Sequence, residues 1–131
     1  EIYTVAIAAA EHNLVANGIN NTFIARLSSE EASAALARER PFRRLHDFDL
    51  DRFEPGTVLV DPPRAGLDPR TLAQVAGFGR IVYISCNPQT LRENLAALAA
   101  THDIERFALF DQFPYTRHLE CGVTLQRRTA H

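Results

Sequence analysis

The sequence predicts an α/β fold with a mostly parallel sheet. Two β-branched runs, Thr57-Val-Leu-Val-Asp61 and Ile81-Val-Tyr-Ile-Ser85, are nearly continuous in apolar residues, as strands buried on both faces are. Each run is followed by a segment carrying helix-start signals, so strands and helices alternate. The two closing β-like segments, 105–113 and 120–128, follow one another with no helix between them. They can therefore pair antiparallel at one edge of the sheet.

The elements follow in order along the chain. Residues 4–17 are rich in Ala and Leu with apolar spacing near the helical period, and Gly18 stands where a C-terminal cap belongs. Thr22-Phe-Ile-Ala-Arg-Leu27 reads as a short strand. Ser28-x-x-Glu31 is a capping-box pattern opening a helix to about Glu39. Residues 41–56 hold Pro41, several charges and Pro55-Gly56, and read as an exposed loop with room for one helical turn. Asp68-Pro69 and Asn87-Pro88 each join a capping side chain to a proline at the first helical position. They open helices to about Phe78 and Ala100. The link Pro114-Tyr-Thr-Arg-His118 is polar and turn-rich.

Composition bounds the function. A chain of 131 residues is expected to form one domain over 1–131. Two cysteines are too few for a disulfide framework and point to a reducing, cytoplasmic setting. No apolar run reaches the roughly 20 residues of a membrane helix, so no membrane partner is expected. The net charge of −2 does not mark a self-sufficient nucleic-acid-binding module. The sequence contains no methionine and so reads as part of a longer chain. The five histidines are scattered and the cysteines far apart, so no metal site is expected.

In open α/β sheets, ligands bind beyond the carboxyl ends of the strands. Asp61 and Cys86 both stand where an apolar strand gives way to a proline-containing turn, which assigns them to one rim. Asp61-Pro-Pro-Arg64 reads either as a rigid turn with a solvated carboxylate or as a ligand-holding acid. A related methyltransferase motif carries an aromatic after the two prolines, to stack on a base whose amine is methylated. Arg64 in that place argues against amine methylation. Cys86 precedes a helix N-terminus, whose dipole favours a negative group. By spacing alone an inert strand-end cysteine is the commoner case, and a nucleophile the less common one. Cys121 alternates with Val123 and Leu125 on one strand face and reads as packing. Glu120 lies on the opposite face and by itself reads as a solvated strand entrance.

Three motifs in order are more specific than any one. Asp61-Pro-Pro-Arg-Ala-Gly-Leu67, Ile84-Ser-Cys-Asn-Pro88 and Phe110-Asp-Gln-Phe-Pro-Tyr-Thr-Arg-His-Leu-Glu-Cys-Gly-Val123 together resemble the C-terminal half of the bacterial tRNA uracil-5-methyltransferase family. The likeness covers nearly the whole chain and is strongest from Val58 to Leu125. Gln112-Phe-Pro-Tyr-Thr116 resembles the tRNA enzymes more than their ribosomal-RNA relatives, which would run the same chemistry and remain the enzyme alternative.

The resemblance implies a partial Rossmann-like class I fold dependent on S-adenosylmethionine, with its first strand, cofactor loop and RNA-binding domain upstream of Glu1. It implies that Cys86 is the nucleophile and Glu120 the proton-abstracting base. Asp61 would be a cofactor-binding acid and Glu1 the acid that holds the cofactor's ribose hydroxyls. The implied substrate is a uridine of tRNA, in the T loop, attacked through a covalent adduct of Cys86 with C6 and flipped out of its stack. Arg64, Arg117 and His118 stand beside the motifs and are either RNA phosphate contacts or plain surface charge. The 131 residues alone are expected to be inactive, and without the first strand the sheet's unpaired edges invite self-association. The non-enzyme alternative is a folded fragment that only self-associates.

Overall fold

The computed structural model describes residues 3–46, 49 and 54–129. The chain divides into two compact units, Glu1–Phe53 and Glu54–His131.

The first unit holds helix α1 (Thr4–Ala16), helix α2 (Ser29–Leu36) and a 3₁₀ turn at Arg43–Leu45. Gly18 takes φ +65° after α1, where its N–H reaches Val15 O and the N–H of Ile19 reaches Leu14 O. That pair of bonds is a Schellman closure, and the left-handed conformation it needs favours glycine. The expected capping box is present: Glu31 N–H donates to Ser28 Oγ at 3.1 Å, and Ser28 N–H donates to Glu31 Oε2 at 3.0 Å. Helix α2 ends at Leu36, earlier than the expected Glu39, because Arg38 turns left-handed and Glu39 N–H bonds back to Ala34 O. The expected strand at Thr22–Leu27 does not form. A strand exists only with a ladder partner, and the described neighbours in this unit are helices and turns.

The second unit is a four-stranded sheet with two helices. Strand β1 (Thr57–Val60) runs into helix α3 (Pro69–Val75), strand β2 (Arg80–Ser85), helix α4 (Pro88–Leu98), and strands β3 (His102–Phe110) and β4 (Glu120–Arg127). The sheet order is β1-β2-β4-β3. The expected parallel pairing joins β1 to β2, and the expected antiparallel C-terminal pair is β3 with β4. Strand β4 also inserts antiparallel against β2, so the described sheet is mixed.

Both helix starts behave as their sequence signals dictate. Asp68 accepts the backbone N–H groups of Arg70 and Thr71 ahead of Pro69, and Asn87 accepts that of Gln89 ahead of Pro88. The core forms where α3 and α4 cover one sheet face: Val75, Leu91 and Leu98 pack with Ile81, Tyr83, Cys121, Val123 and Leu125. Complete burial of a side chain such as Leu91 or Leu98 stabilises by about 1.5–3 kcal/mol. On β1, Leu59 points away from this core and is 67% exposed, so this strand is covered on one face among the described residues. Strand β3 begins three residues before the expected Glu105. Buried His102 anchors its start, one ring nitrogen 2.8 Å from Thr101 Oγ1 and the other 2.9 Å from Phe78 O. No described helix is long and apolar enough to cross a membrane.

Candidate active site

Strands β1 and β2 are parallel, so their carboxyl ends share one rim, and antiparallel β4 begins at that same rim. Val60 pairs with Tyr83 and Ser85 pairs with Cys121. The next residues along are Asp61, Cys86 and Glu120. The β2–β4 register, continued by one residue, sets Cys86 across from Glu120. Three of the four residues expected at the site are thus brought to one edge of the sheet. The fourth, Glu1, lies outside the described residues.

A tight turn presents Cys86. Ser85 is buried at the end of β2, and its hydroxyl both accepts from Asn87 N–H at 3.1 Å and donates to Asn87 O at 3.0 Å. The peptide segment carrying Cys86 is bridged by these two bonds, and the half-buried Cys86 is held one step before the cap of α4. Glu120 is likewise half-buried, whereas Asp61 is exposed. Among the described residues, the Asp61 carboxylate has no hydrogen-bond or ion-pair partner.

Cys121 is the contrasting thiol. It has no exposed surface and packs in the core. Burial pushes its pKa up, and the neighbouring Glu120 carboxylate adds to the effect. Its assignment to packing from strand alternation is therefore borne out.

The loop after Asp61 is clamped to α4. Gly66 N–H closes a turn onto Pro63 O at 2.8 Å, and Gly66 adopts φ +78°. The carbonyl of Arg64 accepts from Asn87 Nδ2 at 2.9 Å and from Thr90 Oγ1 at 3.1 Å. One turn further on, Asn94 Oδ1 accepts from Leu67 N–H at 2.9 Å and from the Tyr83 hydroxyl at 2.7 Å. Asn94 Nδ2 donates to Leu67 O at 3.4 Å. Sequence reasoning missed Asn94, Thr90 and this second duty of Asn87. The available signal was their spacing, which stacks polar residues 87, 90 and 94 along one side of α4.

The segment leading into Glu120 is a compact turn. Phe113 O accepts from both the N–H and the hydroxyl of Thr116, and the Thr116 hydroxyl accepts from His118 N–H. The His118 ring meets Phe113 edge-on, with centroids 6.2 Å apart. Tyr115 at the tip has φ +66° and is fully exposed. Arg64, Arg117 and His118 are all exposed.

The chain has counterparts among known proteins in sequence and in fold. The profile of the tRNA (Uracil-5-)-methyltransferase family matches residues 1–128. A tRNA/tmRNA (uracil-C(5))-methyltransferase of Aromatoleum aromaticum is 60% identical over 128 residues, covering 98% of this chain and 35% of that protein. One from Shewanella baltica is 56% identical over the same shares. The chain therefore spans about a third of the length of these curated relatives. Among solved structures, the Pyrococcus abyssi tRNA (uracil-54, C5)-methyltransferase in complex with S-adenosyl-L-homocysteine aligns with a TM-score of 0.69 and 29% identity. That alignment covers 95% of this chain and 27% of the other. An rRNA methylase from Streptococcus thermophilus aligns at TM-score 0.62 and 12% identity, covering 98% of this chain and 71% of the other, a likeness of fold alone. The strands and helices described here are thus part of a Rossmann-like methyltransferase fold. With its three motifs in order and the family profile matched along almost its entire length, the chain belongs to the tRNA (uracil-5-)-methyltransferase family.

Proposed function

We propose that this chain is the catalytic part of an enzyme that methylates C5 of a uridine in the T loop of tRNA. The observation that carries the reading is the β2–β4 register, which puts a half-buried thiol across from a half-buried carboxylate at the ligand-binding rim of the sheet. Uracil C5 is a poor nucleophile. The Cys86 thiolate adds to C6, the electron pair moves towards the O4 carbonyl, and C5 becomes enolate-like. Once C5 has gained its methyl group it still carries its original proton. Glu120 removes that proton, the C5–C6 double bond re-forms, and the Cys86 thiolate leaves. The target base meets Cys86 only when out of its stack, so the substrate uridine is flipped.

S-adenosyl-L-methionine supplies the methyl group in this reading. The residues present fit it: Asp61 offers an exposed, unpartnered carboxylate at the strand end where such folds bind ligands. Glu1 is proposed as its companion acid, on the resemblance alone. Both compact units then belong to one catalytic domain. Sequence beyond these 131 residues shares in RNA binding, and β1 and β3, the edge strands of the described sheet, offer unpaired backbone for self-association. The parent protein works in the cytoplasm. The 131 residues alone are inactive, which methyl transfer to tRNA by this chain in isolation would disprove.

The deciding experiment uses the full-length protein with Cys86→Ala. Methylation of tRNA is expected to vanish, and 5-fluorouridine RNA, which carries no removable C5 proton, is expected to remain bonded to Cys86 in the wild type. An adduct mapped to Cys121 would overturn the assignment.

A further inference from the structure

We propose that Asn94 is a positioning residue that locks the Asp61 loop to the helix following Cys86, so that the cofactor-side acid and the nucleophile move as one body. The inference rests on the roles given above to Asp61 and Cys86.

Asp61 and Cys86 lie on different strands, and each is followed by a loop. A loop acid beside a loop nucleophile is useful only if their separation is held, since a misplacement of about 1 Å can cost about a hundredfold in rate. The ladder between β1 and β2 stops at Val60 and Tyr83, one residue short of Asp61. Beyond it, the 64–67 stretch is held to Asn87, the cap of α4, and to Thr90 and Asn94 within that helix, with Asn94 Oδ1 bridging loop to strand.

Asn94 stands apart in this set. Its single oxygen accepts from two elements at once, the Leu67 backbone N–H of the loop and the Tyr83 hydroxyl of β2. Tyr83 is itself the strand residue paired with Val60, immediately before Asp61. The strand carrying the nucleophile, the helix after it and the loop carrying the acid therefore meet at one atom. Tyr83 is fully buried and Asn94 half-buried, so water cannot readily replace these bonds. Gly66 completes the fit, because a Cβ there would stand 2.9 Å from Asn94 Oδ1 and 3.2 Å from Thr90 Cβ.

The test compares variants of the full-length protein for binding of S-adenosyl-L-homocysteine by titration calorimetry, for the alkylation rate of Cys86, and for melting temperature. Asn94→Leu keeps the size and removes every bond. It is expected to weaken binding at least about tenfold and to change the Cys86 alkylation rate. Asn94→Asp keeps the oxygen that accepts from Leu67 N–H and the Tyr83 hydroxyl, gives up the 3.4 Å donation to Leu67 O, and is expected to recover part of the affinity lost in Asn94→Leu. Leu98→Ala, at the far end of the same helix, is expected to lower the melting temperature as much while leaving affinity unchanged. Wild-type affinity in Asn94→Leu, a parallel loss in Leu98→Ala, or no recovery in Asn94→Asp would each overturn the proposal. Should Asn94→Leu fail to fold, Gly66→Ala perturbs the same clamp from the loop side, with the same expected loss of affinity. Asp61→Asn separates the two levels: unchanged affinity there removes the cofactor role of Asp61 itself. Loss in Asp61→Asn without loss in Asn94→Leu removes only the positioning role.

Discussion

Ser85 of β2 pairs with Cys121 of β4 as the last step of an antiparallel ladder. One step beyond, Cys86 has left β2, whereas Glu120 is still the first residue of β4, paired with Phe110 of β3. The two thiols of this protein are thus neighbours along the sheet edge with opposite surroundings. Cys121 faces the helix-covered core, and Cys86 stands in the turn at the rim.

The two cysteines are expected to react with very different rates. Burial and the adjacent Glu120 carboxylate both hold Cys121 as the neutral thiol. Iodoacetamide at mildly alkaline pH should label Cys86 first, and Cys121 only on unfolding. Peptide mass mapping after timed labelling reads this directly. Equal labelling in the native state would contradict the packing described here.

In the mechanism proposed above, replacing Glu120 by Gln removes the base but keeps its shape. On that proposal the thiol can still add to the uracil, whereas release needs the C5 proton to leave. Turnover is expected to fall by about 10²–10⁴-fold, with the covalent protein–RNA species accumulating. Gel analysis of the full-length variant with unmodified tRNA would show it. A fall in turnover with no trapped species would assign Glu120 another role.

Gly66→Ala is expected to destabilise the protein by about 1–3 kcal/mol. The residue sits at φ +78°, and the new Cβ would press on Asn94 Oδ1 at 2.9 Å. Chemical denaturation compares it with Gly56→Ala, where a Cβ would meet nothing within 4 Å. Equal stabilities for the two variants would be incompatible with the clamp.

Asp68 carries a pH dependence. The Thr71 hydroxyl, then its backbone N–H, holds the Asp68 carboxyl below its ordinary value of 3.8. A group depressed in the folded state stabilises the fold above its unfolded pKa and loses that contribution as pH falls through the folded one. The stability gap between wild type and Asp68→Ala should therefore be constant from neutral pH to about pH 4 and close below 3.8. Denaturation midpoints across that range measure it.

Local features were legible where a few adjacent residues decide them. Ser28, Asp68 and Asn87 cap their helices as their spacing announced, because a cap bonds only two or three residues away. The strand expected at Thr22–Leu27 was misread because β-branched composition states a preference, and a partner strand must realise it. The shifted start of β3 has the same origin, since pairing with Arg127 extends it back to His102. Asn94 was invisible for another reason. Its partner Leu67 lies 27 residues away, and a mid-helix asparagine looks like any solvated polar residue.

The sequence by itself determined where helices begin, that a thiol and a carboxylate each close an apolar strand, and, through three ordered motifs, the family. Tertiary structure alone decided that Glu120 comes opposite Cys86 and that the Asp61 loop is bound to α4. The physical reason is that register and side-chain clamps are hydrogen bonds between distant segments. Their geometry follows from how strands pair and helices pack, which no short window of residues contains.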